Sequence, residues 1–196
     1  MPTINGRACV VNGTPVDKVF SNGRQVYGKN YVISSKLTSY PPYNTKPVAT
    51  NGGKTITTTY LSTSVTYLTI GISGFKSIGQ YTMSGKMTIN GVPVTSATFT
   101  ANVADTFNAP YTATDTHKID DNGNFVFTET YNGSGGWIMH TPIAGIKAGD
   151  VVVIEDLKFE TGSVATPWTP APEDAGAVVQ SAYEKSGLAN SKKGEN

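Results

Sequence analysis

The sequence predicts an all-β fold: a jelly-roll β-sandwich of two antiparallel sheets, with a short N-terminal β-hairpin extension and a short C-terminal helix or tail. Three observations predict it. Turn signals recur along the chain, at Pro41-Pro42, Asn51-Gly52-Gly53, Asn90-Gly91, Asp121-Asn122-Gly123-Asn124 and Asn132-Gly133-Ser134-Gly135-Gly136. Between them lie short strand-like runs, namely Thr55–Tyr60, Val65–Ile72, Gln80–Ile89, Ala97–Val103, Asn124–Tyr131, Trp137–Met139 and Val151–Phe159. That spacing is expected of a sandwich or barrel. No stretch of helical period sits between the runs, so βαβ units are not predicted.

The last run sets a boundary. Val151-Val152-Val153-Ile154 is β-branched, and Leu157 and Phe159 alternate with Lys158 and Glu160, as on a partly buried sheet. Gly162-Ser163 turns the chain. Pro167, Pro170 and Pro172 then remove three backbone donors, so neither helix nor central strand continues. Trp168 is expected to pack over the edge of the finished domain.

Three parts follow: residues 1–29 as an N-terminal hairpin or linker extension, 30–174 as the β-sandwich, and 175–196 as a short helix and tail. In the first, Arg7–Val11 and Lys18–Phe20 flank Asn12-Gly13-Thr14-Pro15, and Ser21-Asn22-Gly23-Arg24 leads into Gln25-Val26-Tyr27. Asn-Gly between short apolar runs is a strong hairpin signal. This part is too small for its own core and should pack on the sandwich or on another chain. In the last, Val178, Val179, Ala182, Tyr183 and Leu188 recur at helical spacing. A lone helix of that length is marginal in water, which makes it a tail or an assembly element.

Composition excludes several functions. The chain has 196 residues, 15% charged, with a formal net charge of +1. It lacks the basic footprint of a nucleic-acid binder and the polybasic stretch of a membrane-surface protein. No apolar run approaches the roughly 20 residues of a membrane span. The start, MPTINGRACVVNG, lacks the apolar core of a secretory signal. Cys9 is the single cysteine, so no internal disulfide or cysteine metal cluster forms, and it reads as a small buried apolar residue.

Catalytic patterns are poor, and the sequence reads as non-enzymatic. Two histidines, His117 and His140, stand apart from any HExxH motif or serine-nucleophile elbow. Asp115 and His117 in TDTHK share a face if that segment is a strand, although it reads more simply as a polar loop. Asp105, Asp115, Glu129, Glu155 and Asp156 supply carboxylates without a local acid–base pair. On a regular strand, adjacent Glu155 and Asp156 point to opposite faces. Asp120 to Asn124 lacks the glutamate of an EF-hand and reads as a tight hairpin loop. No cofactor is expected, apart from a weak calcium option at Asp156.

Aromatic loops carry the more useful signal. Sugars present apolar C–H faces and rings of hydroxyls, which aromatic rings and amide or carboxylate side chains satisfy together. Tyr40-Pro41-Pro42-Tyr43 holds two aromatics on rigid prolines, which lowers the ordering cost of binding. Tyr111 with Asp105, Asn108, Asp115 and His117 forms a second polar-aromatic group. Tyr131, Asn132 and Trp137 form a third, although Trp137, followed by the apolar Ile138 and Met139, also reads as a core residue.

Two stretches resemble parts of tail and baseplate proteins from phages and prophages of lactic-acid bacteria. VFSNGRQVYGKN, within Val11–Asn30, resembles the joint that precedes their carbohydrate-binding modules. IEDLKFETGSVATPWTPAPED resembles the end of those modules, with YTMSGKMTI and GWIMHTPI at their middle strands. The resemblance runs over residues 11–174. It implies a non-catalytic jelly-roll module in a virion tail or baseplate, extracellular when it acts, binding host cell-wall saccharide. Other virion tail proteins, and further copies of the chain, are the protein partners it implies. Matched positions such as Ile154, Asp156, Leu157, Glu160, Pro167 and Trp168 are boundary and core positions, so no ligand residue carries over. The chain departs from the family at Tyr31-Val32-Ile33-Ser34-Ser35, where a different first strand is usual. The alternative reading is a decoration or assembly protein that uses the same fold for protein contacts.

Overall fold

The computed structural model describes residues 10–11, 14–39, 43–64, 67–71, 79–95, 103–105, 112–131 and 137–174. Cys9, Tyr40, Asn108, Tyr111, Asn132, most of the expected run Ala97–Val103 and the expected helix beyond residue 174 lie outside the described residues.

Two hairpins come first. β1 (Val10–Val11) pairs with β2 (Thr14–Pro15), and β3 (Lys18–Ser21) pairs with β4 (Arg24–Gly28). Asn22 and Gly23 join the second pair with φ of 50° and 74°. Two positive φ values match the right-handed twist of the flanking strands, which is why Asn-Gly is used there.

The sandwich follows. Its strands are β5 (Thr38–Ser39), β6 (Val48–Thr50), β7 (Thr55–Thr59), β8 (Tyr67–Gly71), β9 (Gly79–Ile89), β10 (Val92–Pro93), β11 (Val103–Asp105), β12 (Thr112–Ile119), β13 (Asn124–Tyr131), β14 (Trp137–Pro142) and β15 (Val151–Thr161). The larger sheet runs β12-β13-β9-β15-β7-β6, with β10 folded back onto β9, and the smaller runs β11-β14-β8-β5. All the pairings are antiparallel. From β7 onward the chain steps between the sheets. It closes by placing β15 between β7 and β9, and β14 between β8 and β11. This wrapped path is that of a jelly roll. β12 is a full strand where its polar composition reads as a loop; backbone pairing with β13 overrides a weak side-chain preference.

One apolar cluster joins the sheets. Leu68 and Ile70 come from the smaller sheet, and Ile56, Met83, Phe127 and Ile154 are among those from the larger. Tyr81 stacks on Phe159 with ring centres 5.0 Å apart, and Phe125 on Phe127 at 5.2 Å. On β7, Ile56 and Thr58 are buried while Thr55, Thr57 and Thr59 are partly exposed, the period of two that a strand imposes.

β15 breaks that period once. Its register against β9 shifts between Glu155 and Lys158, and Asp156 has φ of 54°. Asp156 and Leu157 together face Gly85, a β-bulge. Val152 and Ile154 lie in the core before the bulge, Leu157 and Phe159 after it. The parity expected for Glu155 and Asp156 therefore does not hold. Gly85 makes room for the bulge: a Cβ there would lie 2.9 Å from Phe125 Cζ and 3.2 Å from the Glu155 carbonyl oxygen. Gly85→Val is expected to cost about 1–3 kcal/mol by overpacking, read from the urea midpoint. An unchanged midpoint would show that the bulge tolerates a side chain.

The bulge also turns Lys158 and Glu160 onto the outer face of the larger sheet. Both are fully buried there, although their polarity reads as a solvated face. Two segments cover them. From the N-terminal side, Gln25 Nε2 donates to Glu160 Oε2 at 3.5 Å, and Gly28 sits against the same carboxylate, where a Cβ would overlap it. From the C-terminal side, Thr166 donates to Glu160 from both its backbone N–H (2.8 Å) and its hydroxyl (2.7 Å). Lys158 Nζ donates to Thr166 Oγ1 (2.7 Å) and the Pro167 carbonyl (2.8 Å), and lies 3.8 Å from Glu160. Burial raises the Glu160 carboxyl above its ordinary value, and Lys158 opposes that rise.

Asn30 is the second tie. Its Nδ2 donates to the carbonyls of Leu157 (3.2 Å) and Thr169 (2.9 Å), and its Oδ1 accepts from the N–H groups of Val32 (2.9 Å) and Phe159 (3.2 Å). Beside it, Tyr31 packs edge-on to Tyr81, and Lys29 lies over the Tyr31 ring. Burial first, and then the Asp17 carboxylate, raise the Tyr31 phenol well above its ordinary value. Trp168 is half-buried and outside the core cluster, beside the buried Thr166, Thr169, Pro170 and Ala171 of that segment.

Candidate functional site

β15 provides an axis for locating the expected site residues. Tyr131 ends β13 opposite Gly79, beyond the level where Thr161 pairs with Tyr81, so it lies where β15 finishes. Trp137 opens β14 six residues later and pairs with Asp105, the last residue of β11. Thr112 opens β12 opposite Thr130, next to Tyr131. Connections of five and six residues link these strand ends, which bounds their separations to about 20–25 Å. The topology thus gathers Asp105, Tyr131 and Trp137 at one end of the sandwich.

Asp115 and His117 lie on β12, the outer strand of the larger sheet. His117 pairs with Phe127. Asp115 falls in a register shift between Ala113 and Thr116, so the simple two-residue alternation from Asp115 to His117 is interrupted nearby. Tyr43 belongs elsewhere. Its carbonyl accepts from the N–H of Leu61, and Asn44 bridges Tyr60, whose N–H bonds Asp150 just before β15 begins. β15 spans about 30 Å between the two ends at strand rise. Tyr43 is half-buried against the core, so the structure separates it from the Asp105, Tyr131 and Trp137 group.

At the Tyr43 end lies a groove of about 190 Å³ that sequence reasoning missed. Ile89, Val92, Pro93, Ile143, Ala144 and Ile146 form most of its wall. Asp150 stands at its rim, where its carboxylate accepts from the Lys147 N–H (2.7 Å) and Asn90 Nδ2 (2.9 Å); these bonds hold it below the usual carboxylate range. The wall has no aromatic platform and few free polar groups, so it is unsuited to a sugar ring. The one signal in the sequence is Val92-Pro93 directly after an Asn-Gly turn, which exposes an apolar pair.

The polar turn at Asp120 is self-satisfied. Its carboxylate accepts from the N–H groups of Asn122 and Asn124 (2.9 Å each) and from Asn124 Nδ2 (2.7 Å), and it titrates below the usual carboxylate range for that reason. At Asp156, Oδ1 lies 3.7 Å from Lys54 Nζ. Among the described residues, no group of three or more His, Cys, Asp or Glu side chains could hold a metal. No helix among them is long and apolar enough to cross a membrane.

Comparison with protein-family models finds no match, and comparison with curated proteins finds none either.

Proposed function

We propose that this chain is a non-catalytic saccharide-binding module of a phage tail or baseplate, recognising host cell-wall polysaccharide during adsorption. The observation that carries the reading is the convergence of Asp105, Tyr131 and Trp137, on three strand ends, at one end of a jelly roll. These residue types suit sugar hydroxyls and C–H faces. A near-neutral chain with 10 tyrosines suits an uncharged glycan better than a polyanion. The resemblance of residues 11–30 and 154–174 to lactic-acid-bacterial tail proteins supplies the virion setting and the host.

Affinity in such a module is expected to come from many copies, since linked sites raise avidity by about 10²–10⁴ without new contacts. The test is binding of the purified protein, single and displayed on beads, to host cell walls and wall polysaccharide. Binding is expected to fall about tenfold in Trp137→Ala and Tyr131→Ala, with unfolding midpoints close to the parent. Absence of binding in the multivalent format overturns the reading.

One observation favours the assembly alternative. The β3–β4 hairpin exposes Phe20 by 60% and Val26 by 37%, an apolar pair on the part of the chain that resembles a joint. A protein-contact role predicts loss of virion incorporation in Phe20→Ser with glycan binding unchanged.

A further inference from the structure

The chain contains seven Asn-Gly dipeptides, at Asn5, Asn12, Asn22, Asn51, Asn90, Asn122 and Asn132. Four are described, and all four asparagines are exposed. Exposure therefore does not distinguish them, but anchorage does.

The chemistry demands motion. The nitrogen of the following glycine must attack the asparagine Cγ. The Cγ–N bond of the amide breaks, and ammonia leaves with the proton from the glycine N–H. A five-membered succinimide remains. Water then opens it at either carbonyl, leaving aspartate or its β-linked isomer. Ring closure needs the asparagine to leave the left-handed backbone conformation and its amide to rotate freely. Asn22, Asn51 and Asn90 hold φ of 50–54°, so each turn must open locally before it can react, and the rate follows how easily it opens.

Asn90 is held at three points. Its Oδ1 accepts from the Val151 N–H (2.9 Å), its Nδ2 donates to Asp150 Oδ1 (2.9 Å), and its own N–H bonds the Val151 carbonyl (2.9 Å). Asn122 is held through its N–H to Asp120, and Gly123 packs on the backbone of Met87, whose N–H bonds the Gly123 carbonyl at 2.9 Å. Asn51 donates to Thr55 Oγ1 at 3.2 Å. Asn22 combines two features that occur singly at Asn122 and Asn90. Its side-chain amide, like that of Asn122, has no hydrogen-bond partner among the described residues, and the space beside Gly23, like that beside Gly91, is open to at least 4 Å. Among the described residues the turn is held by its own hairpin.

We infer that Asn22-Gly23 is the site of spontaneous succinimide formation and deamidation among the described turns, and that the Asp150 and Val151 contacts protect Asn90-Gly91. The product adds a negative charge, and in its β-linked form an extra backbone carbon, to the hairpin whose Gln25 and Gly28 pack on Glu160.

The test incubates the folded full chain at mildly alkaline pH and follows each Asn-Gly peptide by mass spectrometry. Conversion at Asn22 is expected to run at least about tenfold faster than at Asn90. Two controls separate anchorage from local sequence. In denaturant the two rates should converge. In folded Asp150→Ala, conversion at Asn90 should rise while that at Asn22 stays unchanged. Equal rates in the folded parent, or a difference that persists in denaturant, overturns the inference.

Discussion

Lys158→Met is expected to destabilise the protein by about 3–5 kcal/mol, because it strands the Glu160 carboxylate in a fully buried site. The wild-type pair is closed on every side. Thr166, Pro167, Gln25, Gly28 and the Tyr27 ring, 5.5 Å from Lys158 Nζ, surround it. The size of the effect comes from the penalty of an unpaired buried charge, which exceeds the net worth of the pair itself. Lys158→Met/Glu160→Leu removes both charges and is expected to recover most of the loss. It leaves the Thr166 N–H without its acceptor, at about 1–3 kcal/mol. Urea unfolding of the parent, both single variants and the double variant gives the coupling energy. A single-variant loss below about 1 kcal/mol would mean that water reaches the pair.

The same site predicts a pH dependence. The folded-state Glu160 carboxyl is raised above its unfolded value, chiefly by burial. The folded protein therefore holds the proton more tightly than the unfolded chain does. Stability linked to Glu160 is fully present below the unfolded carboxylate pKa and is lost as pH rises through the raised folded value. In Lys158→Met the opposing cation is gone, so that loss should steepen and extend to higher pH. A Lys158→Met deficit that is independent of pH over the same range would contradict this account.

Asn30→Leu is the second large effect, expected at about 3–5 kcal/mol from four buried hydrogen bonds whose partners lose their mate. The N–H groups of Val32 and Phe159 and the carbonyls of Leu157 and Thr169 all meet on this one amide. Three chain segments, the stretch after β4, β15 and the proline-rich closure, are held together there. Asn30→Asp keeps the acceptors but turns an oxygen toward two carbonyls, so it should be similarly damaging at neutral pH and milder in acid, where the protonated carboxyl can donate. Circular dichroism melts of Asn30→Leu and Asn30→Asp at two pH values check this. Retention of the parent melting point in Asn30→Leu would show that this junction of three segments does not depend on the amide.

The sandwich was legible in the sequence where side-chain chemistry repeats. β9, β13 and β15 carry alternating apolar residues, and the Asn-Gly turns that end β3 and β9 announce themselves. β12 was not legible, since TATDTHKI has no apolar face to read; only pairing with β13 makes it a strand. The very short β5 and β6 were missed for the same reason. Of the expected site, the sequence supplies the residue types. It does not show that Asp105 sits opposite Trp137 or that Tyr43 lies at the far end, because those relations depend on how the strands wrap.

β15 and its closure show where the division falls. Neighbouring residues are enough to say that a β-branched strand ends at Gly162 and that prolines stop the chain after it, because those are local properties of backbone dihedrals and missing donors. Tertiary structure alone decided that Asp156 takes a left-handed conformation opposite Gly85. That single bulge reverses the strand's parity and sends Lys158 and Glu160 to the outer face, under a hairpin more than 130 residues earlier in the chain. Alternation along a strand is written in neighbouring residues, whereas burial of the far side depends on which distant segment arrives to cover it.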